Sequence, residues 1–192
     1  MSLKVWVLSS MVSLALATTA SAAVKVGNAT YEDTMSLGAG TVQLSGAGMR
    51  TKVFFDVYAA GLYLSGKATS FADVLKLAAP MRVRLVMARD VGAKTFVDAL
   101  VEGLADNTSP KVRELIQNEI DALINCMNQI GDVKKGDVID FDYSAEEQTR
   151  VSVNGRTIAK NVGGRQLYNS VLGIWLGPKA IDASLKAAML GQ

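Results

Sequence analysis

Residues 51–64 read TKVFFDVYAAGLYL. The stretch is rich in aromatic and β-branched side chains and nearly continuous in apolarity. This predicts a long strand, buried on both faces for much of its length. Such a strand needs cover on two sides, so the chain must build a sheet with further layers against it. The composition can supply those layers. Of 192 residues, 49% are hydrophobic and 20% charged, which fits one packed domain and not a disordered chain.

Other counts remove whole classes of chemistry. There is no histidine, so imidazole bases, Ser-His-Asp and Cys-His nucleophile systems and His-ligated metals are excluded. The single cysteine, Cys126, excludes an intramolecular disulfide and a Cys-rich zinc site. It falls in a helical pattern, as a buried, inert thiol would. Lys and Arg number 20 against 18 Asp and Glu, a net charge of +2. That balance does not describe a nucleic-acid surface, and no nucleic-acid partner is expected. No cofactor or metal is expected either.

The first residues read as an address. Lys4 supplies a basic start, 5–17 is mostly apolar, and Ala20-Ser21-Ala22 is a small-residue cleavage site. Residues 1–22 are therefore expected to be a cleaved signal peptide, and 23–192 one domain. No later apolar run is long enough to cross a membrane, so the expected location is periplasmic or secreted.

Gly38-Ala39-Gly40 and Gly46-Ala47-Gly48 read as turns or strand bends, with strands at 31–37 and 41–44. Residues 81–89 alternate, which predicts a strand with Arg82 and Arg84 on its wetter face. Helices are predicted from Ser70, over 93–105, and from Pro110 to about residue 129. Residues 137–143, 148–153 and 156–161 read as a meander, with Asn154-Gly155 as its tight turn. Helices close the chain at 165–176 and 181–190, separated by Gly177-Pro178. This order is α+β, a mainly antiparallel sheet with helices on one face. Asp140 and Asp142 share a strand face and read as a solvated edge, or as ligands for a hard cation. Glu119 reads as a boundary residue or a polar pocket contact.

Arg50 stands out because it immediately precedes the most apolar run. On one continuous strand, Arg50 and Tyr58 share a side but lie about 26 Å apart at about 3.3 Å per residue. They converge only if the chain bends after Arg50 or a ligand is bracketed between them. The alternative is an Arg at the sheet edge, solvated or paired with Asp56.

The segment GAGMRTKVFFDVYAAGLYL, 46–64, resembles the signature strand of the chalcone isomerase superfamily, most closely its bacterial secreted branch. SVLGIWLGPKAIDASLK, 170–186, is similar to that family's C-terminal helix pair. The resemblance implies an open-faced β-sandwich, a large antiparallel sheet covered by a helical layer. The family includes true isomerases, fatty-acid binders and non-catalytic helpers. It places the family's active-site Arg on Arg50, and the strand Thr on Tyr58, an exchange similar to that of the fatty-acid-binding branch. The helix Tyr falls on Thr95 or Phe96, the helix Asn on Glu102 or Gly103, and the C-terminal Thr on Ile174. With that polar set replaced, flavonoid cyclisation is not expected.

The expected function is a non-catalytic secreted binder of a small amphipathic carboxylate such as a fatty acid. The expected ligand-binding residues are Arg50, Tyr58, Thr95, Glu102 and Ile174, with Phe54, Val57 and Leu100 against the tail. Two rivals remain: an isomerase or intramolecular lyase using Arg50, and an envelope structural or partner-binding protein whose pocket has closed. The leader is open to direct test. N-terminal sequencing of exported protein should begin at Ala23, and a chain still carrying Lys4 would remove the expected location.

Overall fold

In the computed structural model, which describes residues 23–192, the chain opens with two short strands, β1 (Ala23–Val26) and β2 (Ala29–Glu32). The leader expected at 1–22 lies outside the described residues. Next come β3 (Thr34–Leu37), β4 (Gly40–Lys52), β5 (Phe55–Leu64), a short helix α1 (Phe71–Val74) and β6 (Met81–Met87). The helices α2 (Ala93–Asn107), α3 (Pro110–Leu115) and α4 (Gln117–Ile130) follow. The meander β7 (Val138–Ser144), β8 (Gln148–Val153) and β9 (Arg156–Ala159) precedes α5 (Arg165–Leu176) and α6 (Ala183–Met189). Strands β3 to β9 form one seven-stranded antiparallel sheet in sequence order. The architecture is α+β.

Local chemistry accounts for many boundaries. Ser70 caps α1, its Oγ accepting from the Asp73 N–H. Ser109 caps α3 ahead of Pro110, and Asp182 caps α6. Asn154 and Gly155 both take positive φ, 52° and 78°, the tight turn that β8 and β9 require. The helix predicted from Pro110 is interrupted at Ile116, whose φ of −112° and ψ of 20° leave the helical region. The buried Ile116 side chain joins the core at that point.

Residues 51–64 differ most from the sequence expectation. They do not form one strand. The chain reverses at Val53-Phe54, so Thr51 and Lys52 finish β4 and Phe55 begins β5. Conversely, Gly46-Ala47-Gly48 is not a turn but lies within β4. A Cβ on Gly46 would strike the Ala188 carbonyl of α6, and one on Gly48 would press on the Ala188 and Leu185 side chains. Those glycines let α6 lie directly on the sheet.

The two faces of the sheet differ. On one, Ala60, Leu62, Val83, Leu85, Ile139 and Phe141 meet α2, α4, α5 and α6 in the main core. Cys126 lies in this core, where burial pushes its thiol up to about 11 and so disfavours the thiolate. On the other face, β1 and β2 lay Tyr31 over Gly61, beside Leu37, Val42, Ala59 and Tyr63.

That second face also buries charge. Arg82, Asp140 and Asp142 are only 9%, 4% and 2% exposed; they form a buried ion ladder, neither a wet face nor a cation site. Register places Arg82 opposite Asp142 and Arg84 opposite Asp140. The Arg82 Nε and Nη2 donate to Asp142 at 2.5 and 2.8 Å, and those of Arg84 to Asp140 at 2.7 and 2.8 Å. Arg150, from β8, donates to Asp142 at 2.6 Å. Such paired forks offset the cost of removing charge from water. Removing one partner strands the others, so Asp142→Ala should lose about 3–5 kcal/mol of stability. Denaturant unfolding reads this directly, and a loss under about 1 kcal/mol would show the ladder to be solvated and weak.

Candidate binding site

The reversal at Val53-Phe54 creates the site. Because β4 and β5 are antiparallel, Arg50 is directly opposite Tyr58, which places their Cα atoms about 5 Å apart instead of about 26 Å. A bulge between Arg50 and Thr51 separates this pair from the turn and re-aims the strand there, as bulges do beside functional sites. Arg50 follows Gly46 and Gly48 on the helix-facing side. Its guanidinium carbon stands 5.5 Å from the centre of the Tyr58 ring.

Beside this pair is a cavity of about 620 Å³ between the sheet and the helices. Its volume suits a small apolar ligand. Leu85, Met87 and Phe141 line it from the sheet, Met127 from α4, and Ile174 and Trp175 from α5. Polar groups line it as well: Arg50 and Lys52 from β4, Arg89 after β6, and Thr95, Asp98 and Glu102 from α2.

All five residues singled out in the sequence, Arg50, Tyr58, Thr95, Glu102 and Ile174, line this one cavity. Thr95 and Glu102 are exposed, whereas Ile174 is buried. Val57, Phe96 and Leu100 line it too. Gly103 instead packs against Ile174, where a Cβ would come within 2.9 Å of that side chain. Phe54 does not line it. It sits on the hairpin turn, 88% exposed, because the strand that was to carry it inward reverses there. Glu119 is outside the cavity, half-buried with its Oε2 near Gly163.

Trp175 was missed. Its Nε1 donates to the Tyr58 hydroxyl at 2.9 Å. A buried Trp needs an N–H acceptor, and that rule was the available signal within a helix read only as apolar. Lys52 and Arg89 were also missed as lining groups. The Arg89 guanidinium stands 5.1 Å from the centre of the Phe55 ring.

The electrostatics are uneven. Asp98 pairs with Lys94 at 2.7 Å, and Asp90 with Lys134 at 3.4 Å. Among the described residues, the ion pairs involve none of Arg50, Lys52 and Arg89. Burial pushes the Tyr58 hydroxyl up to about 12, against the lowering influence of Arg50. Tyr58 therefore remains a neutral hydroxyl near pH 7. With its oxygen accepting from Trp175, its proton is free to donate.

A family model described as chalcone isomerase-like matches residues 23–191. The chain belongs to that family. No curated protein matches it in sequence. Among solved structures, an Arabidopsis thaliana fatty-acid binding protein superposes with a TM-score of 0.66 at 14% identity. The match covers 88% of this chain and 96% of that one. The curled antiparallel sheet and its helical layer are thus the chalcone isomerase-like fold.

The Tyr58–Trp175 contact generates a two-part expectation. Tyr58→Phe leaves a buried indole N–H unpaired and should cost about 1–3 kcal/mol at neutral pH. Wild-type stability should also decline between about pH 10, where unfolded tyrosine ionises, and about 12, where folded Tyr58 does. The variant lacks that titration, so its deficit should shrink above pH 10. Denaturant unfolding from pH 8 to 11 tests both parts, and a deficit independent of pH would refute the second.

Proposed function

We propose that this protein is a non-catalytic, exported binder of a small amphipathic carboxylate of the fatty-acid type. One observation carries the reading. Arg50 is a half-buried guanidinium without an ion-pair partner among the described residues, and it lines an apolar cavity beside a neutral Tyr58 hydroxyl. A guanidinium in that setting calls for an anion, and its planar fork suits a carboxylate.

Arg50 would donate two roughly parallel N–H groups to the carboxylate, and Tyr58 its O–H. The Trp175 N–H would fix the phenol and leave its proton directed to the ligand. The alkyl tail would lie over Leu85, Met87, Phe141, Met127 and Ile174, where burial contributes about 0.8 kcal/mol per CH₂. Thr95 offers a hydroxyl and Glu102 a negative charge, which disfavours a second anionic group. Ile174 presents methyl groups where catalysis of the isomerase type calls for a hydroxyl donor, and this supports binding over reaction. The structural neighbour's fatty-acid binding supports the same ligand class. Export rests on the leader pattern at 1–22.

Calorimetric titration with a fatty-acid series tests the reading. Arg50→Ala should weaken binding by roughly 2–5 kcal/mol, the scale for truncating one member of a buried charge pair. Arg50→Lys should also weaken it, because an ammonium cannot reproduce the two-donor fork. Thermal melts of both variants should stay close to wild type, since Arg50 has no ion pair among the described residues to lose. Unchanged affinity with a collapsed melting temperature would make Arg50 structural and remove the anchor.

A further inference from the structure

Three consecutive apolar side chains stand in water around the β4–β5 turn. Val53 is 76% exposed, Phe54 88% and Phe55 60%. Single exposed apolar residues are ordinary, but a contiguous run on a protruding turn marks a contact surface. Local folding does not account for these residues. Val53 takes a φ of 60°, a region unfavourable for a β-branched side chain and normal for glycine or asparagine. A turn with glycine there would form at lower cost.

The tip is continuous with the cavity. Val53 and Phe55 line the cavity, whereas Phe54 does not. Basic side chains flank the tip: Lys52 precedes the turn, and Arg89 stands over the Phe55 ring. The acid on the hairpin, Asp56, accepts a hydrogen bond from Thr51 at 2.9 Å.

We propose that the Val53–Phe54–Phe55 tip inserts into the surface of an anionic phospholipid bilayer, where the cavity exchanges its ligand with the lipid phase. The exchange rests on the carboxylate-binding reading above; the membrane contact does not. Shape and size favour lipid over a protein partner. Three side chains on one turn bury far less than the roughly 800 Å² per partner of a stable complex. A bilayer interface needs no matching pocket and accepts an apolar wedge with basic neighbours against its phosphates. Three side chains on one turn reach only the interface, so the contact is peripheral and reversible.

Co-sedimentation of the purified protein with vesicles of phosphatidylglycerol and phosphatidylcholine tests the contact, with pure phosphatidylcholine vesicles as the comparison. Wild type should sediment with the anionic vesicles and more weakly with the neutral ones. Phe54→Ser should weaken partition about tenfold, the scale of withholding one phenyl ring from an apolar phase. Its melting temperature and its fatty-acid affinity in solution should not change. Phe54→Trp should show indole emission quenched by brominated acyl chains. Transfer of a fluorescent fatty acid to vesicles should accelerate with vesicle concentration for wild type and lose that dependence in Phe54→Ser. A protein that stays in the supernatant at low salt overturns the proposal and turns the tip toward a protein partner. Equal partition of wild type and Phe54→Ser also overturns it. Tip-dependent vesicle binding without fatty-acid binding would uphold the membrane contact and remove the carrier reading.

Discussion

The pairing of β4 with β5 is the constraint on which the rest depends. A shift of one residue in that register would send Arg50 and every other helix-facing side chain of β4 to the opposite face of the sheet. Packing from both sides holds the register. On one face, Gly46 and Gly48 have no side chains, so α6 settles onto the backbone there. On the other, Gly61 of β5 accepts the Tyr31 ring. Larger residues at these positions would push both layers away, and the Arg50–Tyr58 pair would lose its place beside α5.

The arginines of the chain show how one residue type takes opposite roles. Arg82, Arg84 and Arg150 are each matched by a carboxylate across the ladder, with hydrogen bonds in fork geometry. Their charge is neutralised inside the fold and leaves nothing for a ligand. Among the described residues Arg50 has no such match, and it stands beside an apolar cavity. The difference is one of environment. A fully paired guanidinium specifies structure, while a partly buried, unpaired one keeps free energy available for an incoming anion.

Tyr58 links the cavity to the core. Its ring lies beneath Arg50, its oxygen holds the Trp175 N–H, and its opposite neighbour on β6 is Met87. A side chain serving both core and cavity cannot be altered without changing both. Phe54 is the contrast, because it touches neither the core nor the cavity and can be altered alone.

Much of the architecture was legible in the sequence because its signals are local. Ser70, Ser109 and Asp182 act within one helical turn, Asn154-Gly155 within one hairpin, and the apolar stripe of α2 within its own helix. The α+β class and Arg50 followed from such patterns, and the family resemblance alone pointed to Thr95, Glu102 and Ile174 and gave Tyr58 its role. Three features had no local signal. The reversal at Val53-Phe54 uses none of the residues that usually mark a turn, while the glycines that do mark turns at 46 and 48 serve helix packing. Arg82 and Asp142 look solvent-facing until strands sixty positions apart in the chain are paired. Sequence by itself determined which segments are strand or helix and which side chains are chemically suited to an anion, since propensity and side-chain chemistry act over a few residues. Only the tertiary structure decided that Arg50 meets Tyr58, that the aspartates are buried and that Phe54 faces water, because those outcomes depend on which distant segment supplies each neighbour.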